Sequence, residues 1–432
     1  MNPITIAVLF GGLLLFMLAG VPLAFSIFGI STVALSVFTQ LPVWQLIQRF
    51  LGGIDSFVLT AIPFFLLVGN IMNEAKITDR IIRVAAVLVG RAPGGLAQIN
   101  VLDSLMFGGI SGSAVADVSG LGTITIPAMI KEGYPTSFSV AITVLTSVLG
   151  QIIPPSLIMI IYASTASVSI QALFIAGIVP GVLFAATMMV VCYVYAVKYN
   201  WPREERCTWP KFKQALKDAL PVLAVPVIIM GGVLGGVFTA TESAAVAVVY
   251  CIFVSIYGIK TLTWKDMVPI LIKTAKGTAT SLLCIGAASA FGYLVAFFRT
   301  SAFVSDMMNS MHMTQTGYVL FVTVLFLILG CFMDATPAIC IFVPIILPAG
   351  LALGMHPVHI GLIVCLVLAF GMVTPPYGLC LLLGCQIAQI EPQKTFKDLF
   401  VLLSAVLVTY IIIVLLPDFV LWLPNLLVPK FM

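Results

Sequence analysis

Residues 150–156 read Gly-Gln-Ile-Ile-Pro-Pro-Ser, and residues 371–377 read Gly-Met-Val-Thr-Pro-Pro-Tyr. The first stretch has "VAITVLTSVL" before it and "LIMIIYA" after it, a run apolar enough to cross a membrane. One proline inside a helix removes a hydrogen bond and clashes with the preceding turn, at a cost of about 3 kcal/mol. Two in succession after a glycine break the helix. A break at membrane depth leaves carbonyls and amides that only protein or an aqueous cavity can cover. Such carbonyls suit a hard cation, and the N-terminus of a half-helix attracts a carboxylate.

Composition puts this reading in a membrane. Of 432 residues, 61% are hydrophobic and 8% are charged, whereas a soluble domain carries about 25% charged residues. Apolar stretches long enough for a bilayer core cover 4–19, 21–39, 55–73, 138–163, 171–197, 221–237, 240–259, 278–298, 361–387 and 400–423. Interrupted ones fill 94–130 and 317–350. The opening "MNPITIAVLF" lacks the basic lead of a cleaved signal peptide and reads as a membrane helix. The nine cysteines stand singly with no CxxC pair, and the three histidines (His312, His356, His359) are scattered, so no metal cluster is expected. A net charge of +4, held mostly in loops, gives no nucleic-acid surface.

The proline motif belongs to an internal repeat. A shift of 221 residues lays "GQIIPPSLIMIIYA" on "GMVTPPYGLCLLLG", with Gly150 on Gly371, Pro154 on Pro375 and Pro155 on Pro376. The same shift lays Gly109 on Gly330 and Pro127 on Pro348. Seventeen of the 20 basic residues fall in 74–93, at Lys131, and in 198–217, 260–276 and 394–397. Basic segments stay cytoplasmic. One threading keeps all five inside, provided that 94–130 and 317–350 are re-entrant hairpins that do not cross. Both termini then lie in the periplasm and the two copies are inverted, the pattern of a secondary transporter. The expected fold is all-α and polytopic, an inverted repeat with two re-entrant hairpins and two broken helices. Its division is 1–92 scaffold, 93–165 transport, 166–220 scaffold helix and basic loop, 221–315 scaffold, 316–390 transport and 391–432 scaffold.

Each break is matched by a polar hairpin tip, "GGISGSA" in the first copy and "MDATP" in the second. Hard cations take oxygen ligands. The first sodium site is therefore expected from Ser111 and Ser113 with backbone at Gly150, Ile153 and Pro155. The second is expected from Asp334 and Thr336 with Gly330, Gly371, Thr374 and Pro376. Arg49 stands on the outer side against the charge trend, with only Arg299 and Lys430 for company. It is a candidate clamp for a substrate carboxylate, because guanidinium binds carboxylate in a planar fork. Ser156 and Tyr377, next to the proline pairs, join it as substrate candidates. Glu242 reads as a helix-start carboxylate, and Trp201 and Trp209 as interfacial anchors. Asp117 is open between capping a half-helix and joining an ion site, and Asp103 and Asp55 are equally open.

"GGISGSAVADVSGLGTITIPAMIKEGYP", "QIIPPS", "GGVFTATESAAVAVVY", "DSFVLTAIPFFLLVGNIM" and "VTPPYG" together resemble the large membrane subunit of tripartite ATP-independent periplasmic (TRAP) transporters. The resemblance runs the length of the chain. It implies a sodium-driven importer of organic acids in the bacterial inner membrane, working by an elevator movement. It also implies two partners, a small four-helix membrane subunit and a periplasmic substrate-binding protein. No stretch looks like the small subunit, so that partner is expected as a separate chain. Two other readings stand beside it. A solitary sodium–dicarboxylate symporter would have the same repeat and no binding protein. "GISG" at 109–112 also fits an intramembrane serine protease, which needs a histidine base beside the serine; the first copy holds no histidine.

Overall fold

The computed structural model describes residues 3–75, 77–203 and 208–431; Lys76 and Arg206 of the basic segments, and Cys207, lie outside them. Among the described residues the regular structure is helical throughout. The first copy runs α1 (Pro3–Leu18), α2 (Leu23–Phe38), α3 (Trp44–Ile54), α4 (Ala61–Glu74) and α5 (Thr78–Val89). It continues with α6 (Gly95–Ser111), α7 (Ala114–Gly120), α8 (Gly122–Lys131), α9 (Thr136–Thr146), α10 (Leu149–Ile152), α11 (Leu157–Ala166) and α12 (Ile170–Tyr199). The second runs α13 (Trp209–Leu234), α14 (Ala240–Phe253), α15 (Trp264–Phe297), α16 (Thr300–Ser310), α17 (Gln315–Phe332) and α18 (Ala335–Ala352). It ends with α19 (Pro357–Gly371), α20 (Leu379–Ala388), α21 (Phe396–Leu415) and α22 (Pro417–Leu427).

Among the described residues, eight helical stretches are long and apolar enough to span a bilayer, and α9–α10 with α11 makes a ninth, bent by 43° at the first proline pair. Helices that begin inside the protein at membrane depth cannot leave their first amides to water. Side chains take that role: Ser113, Ser156 and Asp334 each accept from an amide in the turn they precede.

The repeat predicted at 221 residues is built into the backbone. Helix α6 ends at Ser111 and α17 at Phe332; Ser113 and Asp334 cap the helices that follow. Pro154–Pro155 and Pro375–Pro376 are both cis. The copies run antiparallel. Tyr162, near the end of the first broken helix, donates to the carbonyl of Pro357 at the start of the second (2.9 Å). At the opposite end Ser137, which opens the first, bonds Asp398 just beyond the second (2.5 Å). Midway, Gln151 meets the sulfur of Met372 (3.2 Å), so the two breaks adjoin. Each hairpin's returning helices lie on the other copy's last half-helix: α7 and α8 on α20, and α18 on α11.

Two details depart from the hydropathy reading. Residues 74–93, expected as a basic loop, contain α5, which buries Ile81, Val84 and Ala85 at helical spacing. Helix α16 is its counterpart before the second hairpin. Both are too short and polar to register as spans, yet each packs on its hairpin, α5 on α6 and α16 on α18. The second departure is α15. In the first copy α3 and α4 are separated by a 3-10 turn at Phe57–Thr60, whereas α15 is one helix of 34 residues.

The basic segments gather at one end. Arg80 donates to the carbonyl of Asp218 (2.8 Å), Lys273 pairs with Glu74 (3.2 Å), and Gly95 donates to the carbonyl of Pro202 (3.3 Å). Trp201 packs on Tyr134 and Phe138, with ring centroids 4.7 and 4.5 Å away. Trp209 lies exposed in the same region.

Candidate functional site

The first hairpin closes on a glycine that no other residue could replace. Gly112 is left-handed (φ +63°), and a Cβ there would lie 2.7 Å from the carbonyl oxygen of Pro155. This closeness lets Leu157, the first residue of α11, donate to the carbonyl of Gly112 (3.3 Å). Ser111 Oγ stands 3.5 Å from both the amide and the carbonyl oxygen of Ser113. Gly150 lies against the same carbonyl; a Cβ on it would approach Ser113 O to 3.1 Å. Ser111, Ser113, Gly150 and Pro155 are thus one contact region, and Ile153 extends the backbone between Gly150 and the proline pair.

The second hairpin makes the equivalent contact with different side chains. Asp334 caps α18 through the amide of Thr336 (3.3 Å). A Cβ on Gly371 would lie 2.6 Å from the Cα of Gly330, so the hairpin and the break cross backbone on backbone. Cys331 reaches the carbonyl of Pro375 (3.7 Å), and Thr374 returns its hydroxyl to the carbonyl of Phe370 (2.7 Å). Gly330, Gly371 and Thr374 therefore lie with the second tip and break. Asp334 and Thr336 line an open cleft of about 910 Å³ with Thr280, Ser281 and Cys284 of α15.

The substrate candidates do not share one pocket. Arg49 lies in a second cleft of about 610 Å³, formed by α3 and α15 with Ser164 and Thr165 of α11 and Cys340 of α18. Its guanidinium sits 4.6 Å above the Tyr293 ring, whose hydroxyl bonds Gln45 (3.1 Å). The two clefts follow one another along the seam between α15 and α18. Tyr377 is exposed and packs against Phe332 on the rim of the larger cleft (centroids 5.8 Å). Ser156 is fully buried, donating to Gln151 O (2.6 Å) and accepting from the Met159 amide.

Other sequence candidates resolve locally. Glu242 closes a capping box with Thr239, accepting its amide at 2.8 Å. His356 caps α19, His359 bonds the carbonyl of Ile413 (3.0 Å), and His312 lies in the turn after α16, so none is a base for Ser111. Asp103 and Asp117 are fully buried behind the first tip. Around them stand Asn100, Ser104, Thr143 and Thr146, which the motif reading passed over. Their spacing of three and four residues within apolar helices was the available signal.

The family model described as "Tripartite ATP-independent periplasmic transporter, DctM component" matches residues 10–419. The chain belongs to that family. It is 38% identical to the uncharacterized protein YgiK of Salmonella typhimurium, over 98% of both chains. It is 34% identical to SiaM, the sialic acid TRAP transporter large permease protein of Vibrio cholerae, over 94% of this chain and 96% of that one. The fold matches the solved YdaH transporter of Alcanivorax borkumensis with a TM-score of 0.60 and 14% identity, covering 87% of each chain. The protein is a large TRAP permease, a multi-pass inner-membrane component of a transporter and not an enzyme. The protease reading of "GISG" is set aside with it.

Proposed function

We propose that this TRAP large permease imports an organic acid by sodium symport, receiving it from a periplasmic binding protein and acting with a small membrane subunit. The observation that carries the proposal is the doubled contact of tip and break in two antiparallel copies. Each copy presents hydroxyl or carboxylate oxygens beside a break rich in carbonyls: Ser111, Ser113 and the backbone of Gly150–Pro155, then Asp334, Thr336, Thr374 and the backbone around Gly330 and Gly371–Pro376. These are the ligands that a hard monovalent cation takes. The substrate carboxylate goes to the Arg49 cleft, with Tyr377 at the rim of the adjoining one. Ser156 has no free face and serves as the cap of α11.

Packing favours an elevator whose moving body is larger than the hairpins. Helices α12 and α21 set their buried faces on each other, on α6, α9, α10 and α19, and on the end helix α22. We therefore assign 166–199 and 396–427 to the transport body instead of the scaffold, leaving α1–α4 and α13–α15 as scaffold and α5 and α16 as connectors. With the gathered basic segments read as the cytoplasmic end, both termini would lie in the periplasm.

The test reconstitutes the chain with a small subunit in proteoliposomes, supplies a binding protein loaded with carboxylate substrate, and imposes an inward sodium gradient. Uptake that needs all three proteins and sodium is the expected result. Uptake without the binding protein would favour the solitary symporter, and uptake indifferent to sodium would overturn the coupling.

A further inference from the structure

The two copies differ in what covers the back of each break. In the first, α12 lies directly on the broken helix. A Cβ on Gly177 would come within 2.4 Å of the Ile152 carbonyl oxygen, and one on Gly181 within 2.2 Å of the Ile153 side chain. Two glycines thus let α12 close on that break. The shift of 221 residues lays α12 on α21 and puts Asp398 and Leu402 where those glycines stand. Helix α21 packs on α9 and α12, but it reaches the second hairpin and break only through side-chain ends. The Tyr410 hydroxyl bonds Thr323, and its ring stands edge-on to Phe370 with centroids 6.2 Å apart.

Between α21 and the second break a groove of about 330 Å³ remains. Phe400, Leu403 and Leu407 of α21 form one wall, facing Leu327 of α17 and Val367 and Thr374 at the break. Phe400 and Leu407 are exposed, so the groove opens sideways to the bilayer. Phe400 and Tyr410 are ten residues apart, which gives it a length of about 15 Å. Its hydroxyls are turned back on their own helices: Thr323 donates to Val319 O (2.7 Å), Thr374 to Phe370 O (2.7 Å) and Ser404 to Val401 O (2.6 Å). Such a lining suits hydrocarbon. A slot of this volume and length takes one extended chain, whereas a helix with its side chains is about 10 Å across.

The open end of the groove carries a charge. Lys397 lies one turn before Phe400 and shares a face of α21 with Ser404 and Leu407. It is exposed at the basic end of the molecule. Nearby, Lys394 is paired with Glu391 (3.4 Å) and Asp398 accepts from Ser137 (2.5 Å). Among the described residues Lys397 has no ion-pair partner. A lysine at the end of a membrane helix attracts anionic headgroups, and its long stem lets the ammonium reach them.

We propose that this groove holds one acyl chain of an anionic phospholipid, whose phosphate sits on Lys397. The chain fills, behind the second break, the place that α12 fills behind the first, and so braces Phe370 and Thr374. An empty slot there would forfeit the dispersion contacts that α12 gives its twin. A neutral lipid fits the groove and lacks the attraction at its mouth. The inference rests on packing and charge, and holds whether or not the tips bind sodium.

The test places the full chain in phosphatidylcholine nanodiscs that contain phosphatidylglycerol with a diazirine near the end of one acyl chain. After illumination the labelled peptides are mapped. Label is expected to concentrate on 400–410 and 367–374, above the other lipid-facing helices. Phosphatidylcholine with the same diazirine should label these residues about fivefold less, the worth of one lysine beside an anionic headgroup. Lys397→Gln should bring phosphatidylglycerol down to that level. Leu407→Trp, which fills the groove from its exposed edge, should remove the label of both lipids. Label spread evenly over the lipid-facing helices would overturn the site, and equal labelling by the two lipids would overturn the headgroup contact. Loss of label when the small subunit is added would make the groove a protein interface and overturn the proposal.

Discussion

The two copies of the repeat agree in backbone and part company in side chains. Both bring a hairpin tip onto a proline-broken helix, and both use a pair of glycines to let main chain approach main chain. The first closes on Gly112 with two serine hydroxyls, whereas the second closes on Asp334 and a threonine. Behind the tips the contrast widens, to a buried polar cluster in one and hydrocarbon in the other. Position 49 is arginine in the first copy, and its equivalent in the second is the buried Ile270. Duplication therefore supplied the geometry, and divergence the chemistry: under the proposed function the symmetric scaffold would give two cation positions, and the single, unsymmetrical arginine would take one carboxylate.

The largest effect is expected where backbones touch. An alanine at Gly371 must push Gly330 away from 2.6 Å, whereas one at Gly150 meets Ser113 O at 3.1 Å. Gly371→Ala should lose about 1–3 kcal/mol of stability by overpacking and abolish uptake, with Gly150→Ala milder. Equal melting points for the two would show that the crossings are not unequal in the way the distances imply.

Arg49→Lys keeps the charge and loses the planar fork. Uptake should fall at least tenfold while the variant still co-purifies with the small subunit. Near-normal uptake in Arg49→Ala would remove Arg49 from the substrate path. Next come the tips. Asp334→Asn deletes a proposed charged ligand and should raise the half-saturating sodium concentration about tenfold, equivalent to ~1.4 kcal/mol. Ser113→Ala, which deletes a neutral one, should raise it less. If neither moves, only backbone ligation survives. The smallest effect is predicted for Glu242→Gln. Its carboxylate is spent on the Thr239 capping box, so a slightly lower melting point with unchanged sodium dependence is expected. A sodium shift there would make Glu242 an ion ligand after all.

Much of this was legible in the residues. The doubled Gly-x-x-x-Pro-Pro, with its polar tips, located both breaks and both hairpins, because a proline pair in lipid has few other uses. Charge placement foresaw that the basic segments share one end. The connectors α5 and α16 were not legible to hydropathy, being short and amphipathic. Nor was the company kept by α12 and α21, since an apolar helix does not announce which neighbour its buried face will choose. The separation of Arg49 from Ser156 and Tyr377 depends on long-range packing that adjacency to a motif cannot reveal. Asp103 and Asp117 were visible but ambiguous. Only the packing shows that they are buried together with Asn100 and Ser104.

The central claim is that one hairpin-and-break unit occurs twice in opposite senses. Lys131 ends the first hairpin and Ala352, its equivalent, ends the second; both are exposed. Cysteines introduced singly at these positions can be probed with a membrane-impermeant thiol reagent, against the unmodified chain as background. Lys131→Cys should label only after the cells are permeabilised, and Ala352→Cys should label in intact cells. Labelling of both from the same side would contradict the inversion and the transport scheme built on it.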